Sequence, residues 1–271
     1  MEPTTPQRGT TPSHDLDVRN DADYQARRAE LDAIAAGFHP GRPIEPIGYH
    51  EAEQALWNDL CATLRTLHGH LAHPEIRHYA RELGTGVDGL PPLAAVSAKL
   101  AADSSFRIEP VVGPPKPRAL LTALSEGRLL VSLRLRHPTQ LSEPDESDLV
   151  HALLGQGPAL LHPELGDLYR RFGVAARNAD RRGLLAIRRV FSCVLEHGAV
   201  EFDGTPRAIG ATLLTSPGEL RRFGSEPRTM PIDCEVMAEL PCETTRSRDR
   251  WFVARDLESL RRDVEAWLAR R

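Results

Sequence analysis

The chain has no CxxC pair, no basic stripe and no apolar run long enough to span a bilayer, and each absence removes a class of function. Its cysteines, Cys61, Cys193, Cys234 and Cys242, are too scattered for a zinc ribbon or a dense disulfide framework. Reduced thiols, and hence a cytoplasmic setting, are the expectation. Lysine occurs only at Lys99 and Lys116, and the abundant arginines are spread along the chain instead of gathered on one face. With a net charge of -4 and a pI near 6.3, no electrostatic footprint for nucleic acid is present. A membrane helix needs roughly 20 consecutive apolar residues, and nothing approaches that. The opening stretch MEPTTPQRGTTPSHDLD lacks the apolar core of a secretion signal. What remains is a chain whose expected partner is a small molecule, with neither nucleic acid nor membrane.

The 271 residues suffice for one generous domain or two small ones. Residues 1–38 read as an N-terminal tail, disordered over 1–16 by its Pro, Thr and Ser content, with one helix at 17–36. GFHPGRPIEP then breaks the chain. A single domain is expected from His39 to residue 271. Within it, helices are predicted at about 50–70, with Leu56, Leu60, Leu64 and Leu67 on one stripe, and at 74–83 and 93–102. A short extended piece at 106–112 leads through the Pro-rich GPPKP loop to a helix at 119–126. LLVSLRLRH alternates like a strand. Helices follow at 147–154, 163–172 and 184–197, a further helix is capped near Ser216, residues 250–254 form a strand, and DLESLRRDVEAWLARR closes the chain as an amphipathic helix. The fold class is mainly α with a few short β-strands.

Three features could carry chemistry. His151 and Gln156 lie five residues apart in the apolar stretch DLVHALLGQGP. Glu196 sits in VFSCVLEHG, a run otherwise apolar, where a carboxylate must be paired, protonated or bound to a cation. Arg136 ends the alternating strand, with Asp148 twelve residues later. Each has a structural reading as well: a satisfied core histidine, a carboxylate capping backbone or pairing with one of many arginines, and a buried ion pair. Taken singly, none names a function.

Taken together, their order resembles the catalytic domain of the pterin-dependent aromatic amino acid hydroxylases. Arg136-His137 corresponds to the family's Arg-His or Arg-Arg pair at a strand end. ESDLVHALLGQGP (146–158) is similar to the family's EPDxxHxLxGHxP, with Ser147 for Pro and Gln156 for the second His. Glu196-His197-Gly198 stands at the family's Glu-Phe-Gly, and GATLLTSPGEL (210–220) at its GAGLLSSxGEL. FRIEPVVG (106–113), HPGRPIEPIGYHEAEQALW (39–57) and WFV (251–253) extend the likeness over roughly residues 39–260.

The resemblance implies a non-haem iron-dependent monooxygenase acting on an aromatic amino acid or related carboxylate. Iron(II) would be held by His151, Glu196 and the atypical Gln156, a neutral but poorer donor than imidazole. His137, His162 or His197 could stand in for the missing histidine, although His197, next to Glu196, would point about 100° away on a helix. Arg136, fixed by Asp148, would grip the substrate carboxylate. Thr215 and Ser216 match the family's paired hydroxyls, and Ser192 replaces a tryptophan that shapes the substrate pocket. Phe191 replaces a tyrosine and Thr212 a glycine. Leu120 replaces a phenylalanine that stacks on the pterin and Ala152 an acidic residue, which puts tetrahydropterin use in question and leaves the cofactor-binding residues unassigned. Two other readings stay open: a non-oxidative cyclase, isomerase or lyase with His151 or Glu196 as acid or base, and a catalytically silent relative that binds a small molecule. A monomer or simple dimer is expected.

Overall fold

Start and stop signals set most helices, and a few long-range hydrogen bonds set the rest. The computed structural model describes residues 18–86, 89–225, 228–240 and 250–271; the disorder expected for 1–16 lies outside them. Helix α1 (Ala22–Ala36) begins at Asp21, whose carboxylate accepts from the Tyr24 amide. Helix α2 (Glu51–Leu71) opens on a His50/Glu53 capping box. It buries Trp57, Leu60, Cys61 and Leu64, while Leu56 and Leu67 pack at the edge of the core. The buried stripe is thus rotated slightly from the leucine stripe, because the large Trp57 ring takes the centre. Helix α3 (Pro74–Leu83) has Pro at its first turn and stops at Gly84 with φ 73°. Helix α4 (Leu93–Ser104) follows.

Strand β1 (Arg107–Pro110) pairs in parallel with β2 (Arg128–Val131) across helix α5 (Pro117–Ser125). Only the first part of the expected strand is paired. Residues 132–137 are extended without a strand partner, and all are buried. Their carbonyls are satisfied one at a time: Leu133 by the Tyr49 hydroxyl, Leu135 by the Tyr24 hydroxyl, and Arg134 by the Leu149 amide. Alternation had suggested a strand through this stretch. Its polar residues, Ser132, Arg134 and Arg136, are all buried, and the two arginines reach carboxylates, Glu146 and Asp148.

The centre of the molecule is built from helices α6 (Gly157–Leu161), α7 (Pro163–Asn178) and α8 (Arg181–Phe191), with Tyr169, Phe172 and Phe191 in edge-to-face contact. Two π-helical turns flank them, His151–Gln156 before α6 and Ser192–Glu196 after α8. Both had been expected as plain α-helix. Strands β3 (Ala199–Phe202) and β4 (Thr205–Ala208) form a hairpin whose two loop residues, Asp203 and Gly204, have φ of 51° and 70°. That is the Asp-Gly turn whose twist suits tight hairpins. Helices α9 (Ala211–Thr215) and α10 (Pro217–Ser225), strand β5 (Thr229–Pro231), helix α11 (Cys234–Glu239), strand β6 (Trp251–Ala254) and helix α12 (Leu257–Leu268) complete the chain, with a four-stranded sheet in the order β4-β3-β6-β5. Among the described residues no helix is long and apolar enough to cross a membrane.

Helix α1 lies against this body. Tyr24 meets the His137 ring edge-on, Asp21 reaches the same imidazole at 3.2 Å, Arg27 pairs with Glu53, and Asp32 accepts from the Gly113 amide.

Candidate active site

Local winding explains how distant residues converge. In an α-helix five residues turn the chain by about 500°, which would set the side chains of residues 151 and 156 roughly 140° apart. The π-helix closes its hydrogen bonds five residues apart, as the Gly157 amide does onto the Ala152 carbonyl. Five residues then make little more than one turn, so His151 and Gln156 come round to the same side. The second π-turn closes the same way, His197 amide to Ser192 carbonyl at 3.0 Å, and ends on Glu196. His151 Nε2 and Glu196 Oε2 stand 3.4 Å apart.

Two glycines let the turns approach. A Cβ on Gly155 would stand 2.7 Å from the Ala211 carbonyl oxygen, and one on Gly210 would stand 2.5 Å from the Glu196 carbonyl carbon. Residues 210–212 are therefore wedged between the two π-turns. From that wedge the Thr212 hydroxyl donates to Glu196 Oε2 at 2.6 Å.

Asp148 joins Arg136 to the turn that carries His151. As N-cap of the turn that carries His151, it accepts the His151 amide on Oδ1 at 2.9 Å. It also accepts Arg136 Nη2 on Oδ1 at 3.0 Å, and Arg136 Nε and backbone N on Oδ2 at 2.8 and 3.0 Å. Burial pushes this carboxyl up, but the Arg136 charge and these hydrogen bonds outweigh it and hold Asp148 below the ordinary carboxylate value. Both side chains are 1% exposed. Arg136 Nη1 donates to the Thr215 carbonyl at 2.7 Å and, more weakly, to the Leu141 carbonyl at 3.4 Å. Of five guanidinium N–H groups, one on Nη2 is uncommitted and one on Nη1 is loosely held.

The other residues singled out in the sequence fall as follows. Gln156 is 4% exposed, on the same π-turn as His151. His162 pairs with Glu75 at 2.7 Å, His137 with Thr139 and Asp21, and His197 with Glu219 at 3.1 Å. None of these three is brought to the His151–Glu196 pair as a substitute donor. Thr215 turns its hydroxyl back onto the Ala211 carbonyl at 2.8 Å, and buried Ser216 begins the turn into α10. Ser192 opens the second π-turn, and Leu120 lies half-buried on α5. Sequence reasoning passed over two neighbours. Tyr169, fully buried, has its phenol pushed well up, first by burial and then by the charge of Glu196. His68 on α2 holds the Leu214 carbonyl at 2.7 Å, and burial lowers its pKa. Only the long-range packing marks either.

Comparison with known proteins fits this geometry. The pattern of the biopterin-dependent aromatic amino acid hydroxylase family matches residues 7–270. The chain belongs to that family. A phenylalanine 3-hydroxylase from Streptomyces coeruleorubidus is 31% identical over 241 residues, 89% of this chain and 86% of that protein. Human phenylalanine-4-hydroxylase is 27% identical over 251 residues, 91% of this chain but 56% of that longer protein. Chromobacterium violaceum phenylalanine hydroxylase, solved with iron(III) and 7,8-dihydrobiopterin, superposes with a TM-score of 0.78 at 22% identity, covering 88% of this chain and 90% of that one. The hydroxylase-like fold expected from the sequence is the fold observed. These relatives are monooxygenases or hydroxylases by name, and none supports a non-oxidative or silent reading.

The donor set can be tested against iron on this structure alone. Two donors about 2.0–2.2 Å from one ion and at right angles to each other stand roughly 3 Å apart. The 3.4 Å between His151 Nε2 and Glu196 Oε2 suits that spacing. Gln156, buried on the same π-turn as His151, could add a neutral amide oxygen to that set. The residues fit.

Proposed function

We propose that this chain is an iron(II)-dependent monooxygenase that hydroxylates the side chain of an aromatic amino acid, with phenylalanine as the first substrate to test. The observation that carries this is the joint placement of His151 Nε2 and Glu196 Oε2, 3.4 Å apart, with Asp148 linking the His151 backbone to the Arg136 guanidinium. Membership of a biopterin-dependent hydroxylase family supplies the reaction class. His151, Gln156 and Glu196 would hold the ion, giving a neutral amide oxygen where the family pattern has imidazole. When bound, iron(II) with a reduced pterin supplies the electrons for dioxygen cleavage.

The chain's own residues position the substrate. An incoming carboxylate would take the uncommitted Nη2 N–H of Arg136 and the loosely held Nη1 N–H, displacing the 3.4 Å contact with the Leu141 carbonyl. Asp148 keeps the guanidinium plane from turning during that exchange, because both its oxygens are engaged. Such a bidentate grip is a task for arginine that lysine performs poorly. Ser192 and Phe191 are the positions that would shape the wall around the substrate side chain. Leu120 and the buried Ala152 offer apolar surface where the family pattern has a stacking ring and an acid. Reduced pterin is accordingly proposed as the electron donor, held without ring stacking at position 120.

The test is anaerobic loading with iron(II), followed by oxygen, tetrahydropterin and phenylalanine, with products resolved as ortho-, meta- and para-hydroxylated isomers. Iron stoichiometry near one and oxygen-dependent hydroxyphenylalanine are the expected results. A chain that takes up no iron and consumes no oxygen with any aromatic amino acid would sink the reading.

A further inference from the structure

The wedge between the two π-turns carries a hydroxyl aimed at Glu196, and the direction of that bond is unambiguous. A carboxylate can only accept, so Thr212 Oγ1 donates its single proton to Oε2 at 2.6 Å. This is the same oxygen that faces His151 Nε2. The hydroxyl is well anchored. Threonine is stiff at χ1, and its backbone is held because the adjoining Gly210 and Ala211 press against Glu196 and Gly155. The Thr212 carbonyl lies 3.4 Å from the Thr215 hydroxyl, within the same short helix.

We infer that Thr212 is a positioning residue that fixes the Glu196 carboxylate and holds it as a one-oxygen donor to the metal. By occupying one lone-pair site of Oε2, the hydroxyl disfavours symmetric two-oxygen chelation and fixes the plane of the carboxylate. Glycine, which the family pattern places here, could do neither. The neutral, weak donor at Gln156 makes this control more consequential. With one ligand poor, the ion's affinity depends more heavily on how well the single anionic ligand is set. The inference rests on the iron reading above.

The experiment is anaerobic iron(II) titration of the full chain as wild type, Thr212→Val and Thr212→Ser, with the visible spectrum of each cobalt(II)-loaded protein and the melting temperature of each metal-free protein. Valine keeps the shape and removes the donor; serine restores the donor. Thr212→Val is expected to weaken iron affinity by about tenfold, the scale of losing a partner of a metal ligand, and to change the cobalt band intensities as coordination changes. Thr212→Ser is expected to remain within about twofold of wild type by the same reasoning, and the metal-free melting temperatures to stay close. Equal affinity and spectra for wild type and Thr212→Val would overturn the role of Thr212 while leaving the iron site standing. Weakening in both variants alongside lowered metal-free melting would also overturn it, by showing a packing role. A wild-type chain that binds neither metal overturns the iron reading and this inference with it.

Discussion

Replacing Asp148 with asparagine tests the link between Arg136 and the His151 turn without changing side-chain shape. In the native chain its two oxygens accept four hydrogen bonds, three from Arg136 and one from the His151 amide. Asparagine keeps one carbonyl oxygen and turns an amide NH2 against at least one N–H donor. It also leaves the Arg136 charge uncompensated at 1% exposure. Breaking a buried pair from one side costs about 3–5 kcal/mol, and the retained carbonyl places Asp148→Asn near the lower end, at about 3 kcal/mol by the same principle. Urea unfolding at neutral pH should show that loss. The pH dependence gives a second check with a fixed sign. Because the folded carboxyl lies below its ordinary value of 3.8, its contribution is complete above that value and is lost as pH falls through the lower folded value. The gap between wild type and Asp148→Asn should therefore stay constant from about pH 5 upward and narrow below about pH 4. A gap under about 1 kcal/mol at pH 7 would refute the reasoning, since that is the range of an exposed pair.

Two further outcomes follow from the site. Gln156→His should tighten iron(II) binding at least about tenfold, or about 1.4 kcal/mol; equal affinity in an anaerobic titration would mean that residue 156 does not face the metal. Leu120→Phe should lower the KM for tetrahydropterin about two- to tenfold, matching the roughly 0.5–1.5 kcal/mol that ring stacking adds beyond burial. An unchanged KM in steady-state assays would move the pterin away from α5.

Punctuation made much of the fold legible. Pro74 and Gly84 bracket α3, and the expected 74–83 span is the observed one. Where the sequence misled, a tertiary interaction overrode the local pattern. LLVSLRLRH alternates like a strand, yet pairing stops at Val131, and beyond it Arg136 is held by buried Asp148 and Arg134 by half-exposed Glu146. The β3–β4 hairpin went unread although Asp203-Gly204 announced its turn, since AVEF and TPRA are short and interrupted by Pro206. The π-turns left no local signal. In the almost wholly apolar runs around residues 151–156 and 192–196 there is no polar phase from which to detect one extra residue per turn. The candidate site residues themselves, 136 to 216, were assigned from their order along the chain. What that order could not reveal was the donor at Thr212, whose partner depends on how α9 meets the second π-turn.

The two widened turns also tie ligand binding to chain geometry. His151 and Gln156 share a side only while their segment stays overwide, and ordinary helical winding would swing them apart. An ion gripped from both turns would act as a rivet. Each rewinding event would have to eject it first, so thermal resistance should climb with metal concentration by RT ln(1 + [L]/Kd).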